Sequence, residues 1–212
     1  MTTNASPFAR LLSHPGVQEQ LELRSRFGFM AFHGGSLERH THLIAGRAAE
    51  AAGASFYAVV QPAEFRWHIP SSKVDPDDSP TLASFLGHVD VTISVHGYGR
   101  GGFFTTLLLG GRNRELAVHL GGRLATSLGH YQIAADIDHI PADLRGLHPD
   151  NPVNRPRAGG VQLELPPRVR GMGPFWQDWP YETNPHTEAL VDTLAEAARS
   201  WPLADNSVGD IA

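Results

Sequence analysis

Apolar and polar positions along this chain fall into short runs with strand periodicity, separated by longer segments with a helical period. The run Phe27-Gly-Phe-Met-Ala-Phe32 reads as the end of a buried strand over 24–32, and it stops at His33-Gly34-Gly35. The next segment, 37–52, places Leu37, Thr41, Ile44, Ala45, Ala48 and Ala52 on one helical face. Glu38 stands in its opening turn, and Gly53 stands where a C-terminal cap belongs. Residues 55–60 read as a second strand. In 90–96, Val91, Ile93 and Val95 fall on one face and Thr92, Ser94 and His96 on the other, the alternation of a strand with one core face.

Further strands are expected over 103–109, 131–137 and 159–166. In the last of these, Val161, Leu163 and Leu165 lie opposite Gln162 and Glu164. Asn113 is placed to cap a helix over 114–128, and a closing helix is expected over 186–200. An N-terminal extension, 1–23, carries two short helical patterns, 7–12 and 17–23. The stretch 61–80 holds four prolines and four acids and reads as a long loop with room for a short strand at 65–69. A second loop, 141–160, is rich in Pro, Asn and Arg, and a Trp- and Pro-rich stretch, 174–185, opens the C-terminal segment 174–212. Strands alternating with helices predict a single α/β domain over 1–212. Its sheet is expected to be mixed and mostly parallel, of about six to eight strands, with helices on both faces.

Composition narrows the chemistry. The 212 residues are 41% hydrophobic and 18% charged, which suits one domain with a substantial core. The net charge of −5, with no basic block, speaks against a nucleic-acid partner. No apolar run approaches the ~20 residues that span a bilayer, and no signal-like N-terminus appears, so the expectation is a cytoplasmic protein with no membrane partner. Oligomeric state is left open. All but one of the 17 basic residues are arginine, Lys73 being the exception. Cysteine is absent, so any metal must be held by histidine and carboxylate.

Two strands end in His-Gly, at His33 and His96, and a third carries Glu164 on its non-core face. In an open α/β sheet, ligands bind beyond the carboxyl ends of strands, and this reading places His33, His96 and Glu164 together at one edge of the sheet. With Glu38, the two histidines make a set of three ligands suited to a catalytic Zn²⁺ with one position open. Glu164 is then left to act as the general base of a hydrolysis. The His-Glu-x-x-His motif of helical zinc proteases is absent, so the ligands must converge from separate strand ends.

The motifs His33-Gly-Gly-Ser-Leu-Glu38 with Thr41, Ser94-Val-His96-Gly-Tyr98, Gly110-Gly111, Asn151-x-x-Asn154-Arg155 and Gly160-Val-Gln-Leu-Glu164-Leu-Pro166 occur in this order. Together they resemble the poly-γ-glutamate hydrolase family, phage-type and bacterial zinc enzymes with a zinc-carboxypeptidase-like fold. The resemblance runs over roughly 27–170. It implies His33, Glu38 and His96 as zinc ligands, Glu164 as catalytic glutamate, and Asn154 and Arg155 near the substrate end of the cleft. It also implies a small-molecule or polyanionic peptide substrate with a γ-glutamyl linkage. Ser36-Leu37 stands where family members usually have glycine and isoleucine, and the 61–80 loop has no clear counterpart; both departures bear on the substrate. Two other functions stay open: a zinc amidase or carboxypeptidase acting on peptidoglycan-type or acyl-amino-acid substrates, and a metal-dependent binding domain without turnover.

The remaining histidines read as structural or solvent-exposed. His40 and His42, two apart on a helix, face different ways, and His68 and His148 lack partners at ligand spacing. Arg100, Arg112, Arg155 and Arg170 are candidates for substrate carboxylates, with solvated ion pairs as the commoner role. Trp176 and Trp179 are expected to pack the C-terminal segment.

Overall fold

A computed structural model of the chain describes residues 5–176 and 184–203. The elements, in order, are α1 (Pro7–Leu12), β1 (Gln18–Glu22), β2 (Phe27–Gly35), α2 (Thr41–Ala52), β3 (Ser55–Gln61), α3 (Pro80–His88), β4 (Val91–Gly97), β5 (Thr106–Leu109), α4 (Arg114–Ser127), β6 (Gln132–Ala134), β7 (Gly160–Leu165) and α5 (Pro185–Ser200). Seven strands form one sheet in the order β1-β3-β2-β4-β7-β5-β6. The central four, β3, β2, β4 and β7, run parallel. Strand β1 is antiparallel to β3, β5 is antiparallel to β7, and β6 is parallel to β5.

Strand alternation explains the two layers. Phe27, Phe29, Ala31, Val91, Ile93, Val95, Val161 and Leu163 face the core shared with α2, α4 and α5. Met30, Phe32, Tyr57 and Val59 face the other way, toward Phe8 and Leu11 of α1 and Leu82 and Phe85 of α3. Helices therefore cover both faces. On β4 and β7 that second face is polar: Thr92, Ser94, His96, Gln162 and Glu164 are all buried there. Buried polar side chains need partners, and this row is where the fold sets them aside.

Several expectations change. Residues 18–22 of the expected 17–23 helix form the strand β1, because pairing with β3 along a sheet edge outweighs a seven-residue helical pattern too short to stand alone. Residues 65–69 are irregular rather than a strand, because Gln61 captures the backbone of Trp67 with its side chain. Helix α3 falls between the expected elements, although Ser79 caps it through Leu82 N and Pro80 opens it. Strand β2 continues past Phe32 to Gly35, with a register shift against β3 between Ala31 and Gly34. This bulge lies at His33 and re-aims its side chain. Helix α2 begins at Thr41, so Glu38 sits in the preceding turn and not in a helical first turn. Trp176 is buried and donates to the Arg168 carbonyl, 2.8 Å away, while Trp179 lies outside the described residues. Among the described residues no helix is long and apolar enough to cross a membrane.

Candidate metal centre and active site

His33, His96 and Glu164 sit at the carboxyl ends of β2, β4 and β7. These are neighbouring strands in the middle of the sheet, so the expected edge is its C-terminal end and not a flank. Glu38 is carried to them by a tight turn. Its N–H donates to the His33 carbonyl (3.0 Å), and its own carbonyl accepts from Thr41 Oγ1 (2.7 Å). His40 follows in the left-handed region at φ 71°, and its Nδ1 lies 2.7 Å from the Arg170 carbonyl. That geometry ends the turn and starts α2.

The two imidazoles present the same nitrogen to the same carboxylate. His33 Nδ1 is 2.9 Å from Glu38 Oε1, and His96 Nδ1 is 3.4 Å from Glu38 Oε2. The opposite nitrogens are occupied: His33 Nε2 by the Ile69 carbonyl at 2.9 Å, and His96 Nε2 by Ser94 Oγ at 2.8 Å. A carbonyl can only accept, so His33 carries its proton on Nε2 and turns the Nδ1 lone pair toward Glu38. With Ser94 accepting from Nε2, His96 does the same. The result is three electron-pair donors within 4.8 Å of one another, backed by partners that fix tautomer and ring plane. Two neutral imidazoles and a carboxylate aimed at one point fit a divalent cation such as zinc.

Charge follows from this packing. Burial alone would raise the Glu38 carboxyl, but in the metal-free site the charge that His33 and His96 carry when protonated on the nitrogens facing it outweighs burial and holds Glu38 far below the usual carboxylate range. Burial alone would lower His96, and Glu38 reverses that, so His96 is raised. Glu164, paired in register with His96, is only 4% exposed. Burial pushes its carboxyl up to about 7 against the opposing pull of His96, with the Glu38 charge adding to the rise. One of its oxygens, Oε1, accepts from Gln162 Nε2 at 2.8 Å.

A cleft of about 540 Å³ opens over these groups. One wall comes from His68, Pro70, Ser71 and Ser72, and the other from residues 142–151. His68, expected to be structural or exposed, has its ring 4.8 Å from that of His33 and lines the cleft. Arg170 is buried behind the centre, its guanidinium bonded to the carbonyls of Leu165, Arg39 and Tyr98. A Cβ on Gly97 would lie 2.6 Å from Arg170 Cζ, so only glycine lets that guanidinium back the site. Arg100 pairs with Asp143 of the cleft wall. Arg112 lines a separate cavity of about 500 Å³ with Arg157 and Trp201, near the start of β4 and β7. No arginine or lysine lines this cleft among the described residues.

Asn154 and Arg155 stand behind the cleft wall and outside its lining. Asn154 Nδ2 donates to the carbonyls of Gly146 (2.7 Å) and His148 (2.9 Å), and its Oδ1 accepts from Arg112 N at 2.9 Å. Arg155 lies 3.8 Å from Asp75 and 3.9 Å from Asp150, bridging the two loops that form the walls. Sequence reasoning gave no role to Ser94, Gln162, Asn151 or His68. The available signal was a polar residue two before His96 and another two before Glu164, each sharing its partner's buried face.

The profile of the poly-γ-glutamate hydrolase family matches residues 9–193. Among solved structures, the chain is similar to a bacteriophage poly-γ-glutamate hydrolase, at 22% identity over 93% of this chain and 90% of that one, TM-score 0.68. It is also similar to YNDL in a zinc-free apo form, at 18% identity over 87% and 90%, TM-score 0.67. The gene product Atu2144 of Agrobacterium tumefaciens shares the fold more distantly, at 10% identity over 86% and 92%, TM-score 0.54. No curated protein matches the chain.

Proposed function

The chain belongs to the poly-γ-glutamate hydrolase family, and from that premise we propose that it is a zinc-dependent hydrolase of an amide bond in a γ-glutamyl linkage. The observation that carries this reading is the pair of Nδ1 atoms, of His33 and His96, converging on Glu38 beside the separate carboxylate of Glu164. A binding domain needs the first three residues and has no use for the fourth.

His33, Glu38 and His96 would hold the zinc, which when bound would supply Lewis acidity to the substrate carbonyl and to water. Ile69 and Ser94 keep the imidazoles in the ligating tautomer. Glu164 takes the proton of the water that adds to the carbonyl carbon. As the C–N bond breaks it delivers that proton to the leaving nitrogen, which departs as an amine. A carboxyl raised toward neutrality suits both halves of that cycle, since it neither holds nor refuses the proton strongly. Phe32, packed edge-on to both His33 and His96, excludes water from the face behind the ligands. Asn154 and Arg155 serve the substrate through the loops they hold in place.

One observation favours a second substrate class. With Glu38, Asp143 and Glu164 in the lining and histidine as its only basic residue type among those described, the cleft suits a short acyl-amino-acid or γ-glutamyl unit as well as a long polyanion. The test is a hydrolysis screen of zinc-loaded and chelator-treated protein on poly-γ-glutamate, γ-glutamyl dipeptides, N-acyl amino acids and muropeptides. Cleavage of a γ-glutamyl substrate that stops on chelation and returns with zinc is the expected result. A protein that binds zinc tightly and cleaves none of these would overturn the reading.

A further inference from the structure

Glu164 is held by a short chain of buried amides that no catalytic role yet uses. Asn151, Gln162 and Glu164 are 2%, 5% and 4% exposed. Asn151 Nδ2 donates to Gln162 Oε1 at 2.7 Å, and Gln162 Nε2 donates to Glu164 Oε1 at 2.8 Å. A carboxamide can be turned over with little change of shape, so its direction must be set by its neighbours. Here the Leu144 carbonyl accepts from Gln162 Nε2 at 3.4 Å, and Asn151 sets the direction from the other end. Asn151 Oδ1 faces the N–H of Val153 at 3.4 Å, which leaves Nδ2 to meet Gln162. A reversed Gln162 would press its oxygen on a carboxylate and its NH₂ on another NH₂.

We propose that Asn151 and Gln162 are positioning residues: Asn151 fixes the orientation of the Gln162 carboxamide, which anchors Oε1 of Glu164 and leaves Oε2 to exchange the proton in the cleft. The device also ties the base to the substrate loop. Gly146, at φ 62°, passes so close that a Cβ there would lie 2.5 Å from Gln162 Oε1, and its carbonyl accepts from both Asn151 and Asn154. The wall of the cleft and the orientation of Glu164 are thus one hydrogen-bonded unit. This inference rests on the reading of Glu164 as proton acceptor given above.

The test compares Asn151→Asp with Asn151→Ala. The introduced aspartate keeps the acceptor for Val153 N but cannot donate to Gln162, so the carboxamide meets a carboxylate at each end and loses its single direction, its oxygen turning toward Glu164 for part of the time. Alanine removes the donor without reversing anything. The expected result is a kcat lower for Asn151→Asp than for Asn151→Ala by about tenfold, a difference not carried by KM, with zinc content unchanged in both. A residue that merely packs or touches substrate would lose at least as much on truncation to alanine, and that order would overturn the proposal. A second readout needs no turnover: the side-chain amide resonance of Gln162 in labelled protein. It should shift further on Asn151→Asp than on Asn151→Ala, because only the aspartate draws the NH₂ away from Glu164. A shift on Asn151→Ala as large as that on Asn151→Asp would overturn the positioning role even if the hydrolase reading holds. Absence of cleavage by the parent chain would instead count against the hydrolase reading, while the resonance still decides this one.

Discussion

Replacing Glu164 with glutamine separates what this carboxylate does for turnover from what it costs the fold. The amide is nearly isosteric, and its oxygen can accept the bond from Gln162 Nε2 that Oε1 accepts now, so the buried chain survives. Zinc content should not change, because the ligands proposed are His33, Glu38 and His96. Turnover should fall by about 10²–10⁴-fold, the usual contribution of a positioned base. Stability should move the other way. In the metal-free protein the carboxyl is raised from 4.5 to about 7, which corresponds to about 3 kcal/mol against the folded state once the group is forced to ionise. Below pH 4.5 the group is protonated whether folded or not, and the penalty vanishes. Between 4.5 and 7 the unfolded chain ionises while the folded one keeps its proton, so the penalty grows with pH and levels off above 7. At about pH 8 the metal-free Glu164→Gln protein should therefore melt about 6–12 °C above the parent, and the gap should close near pH 4. Calorimetry on chelator-treated proteins across that range, beside zinc analysis and the hydrolysis assay, measures all three quantities. Equal melting temperatures at the alkaline end would refute the burial argument, and undiminished turnover would refute the assignment of the base.

Other consequences can be checked more simply. Purified protein should carry about one zinc per chain, and His33→Ala or His96→Ala should lose it; equal zinc in parent and variants would remove the proposed ligand set. Gly97→Ala should destabilise by about 1–3 kcal/mol, because the new methyl meets a guanidinium that three carbonyls hold in place, and an unchanged melting temperature would show that Arg170 yields freely. For poly-γ-glutamate, kcat/KM should change little as salt goes from about 10 to about 200 mM, since the cleft has no arginine or lysine among its described lining and its carboxylates offset the charge of the proposed zinc; a steep fall would reveal a cationic track for the polymer.

The parts of the fold that could be read from the sequence are those that local physics determines. The inward faces of β4 and β7 alternate strictly with the core, so Ser94, His96, Gln162 and Glu164 could be placed on one side before any contact was known. Asn113 does cap α4 through Leu116 N, and α5 follows the closing helical pattern, because caps and apolar stripes are local signals. What escaped was decided at a distance. Strand β1 owes its state to β3, and the reach of β2 past Phe32 depends on a bulge whose register only the partner strand defines. The late start of α2 comes from Thr41 capturing the Glu38 carbonyl and from a left-handed His40 tied to Arg170, 130 residues away. His68 shows the same limit: nothing within its own loop says that it will lie against His33.

The two carboxylates of the site are driven to opposite charge states by one fold, which suits the two duties proposed for them. Both are buried, and burial by itself would push both toward the neutral acid. Glu38 sits between two imidazoles whose protonated forms stabilise its charge enough to reverse that push, and it also accepts the backbone N–H of Gly97 at 2.9 Å. A metal ligand must be ionised at every working pH, and this environment suits the ligand role proposed for Glu38. Glu164 has a single side-chain donor in Gln162 and feels the Glu38 charge as a like neighbour, so burial wins. A group that exchanges a proton within a cycle must stay near neutrality, and this environment suits the role proposed for Glu164. The difference lies in what surrounds each carboxylate and not in residue type. Exchanging the roles would require moving the imidazoles from one side of β4 to the other, and the register that pairs His96 with Glu164 fixes them where they are.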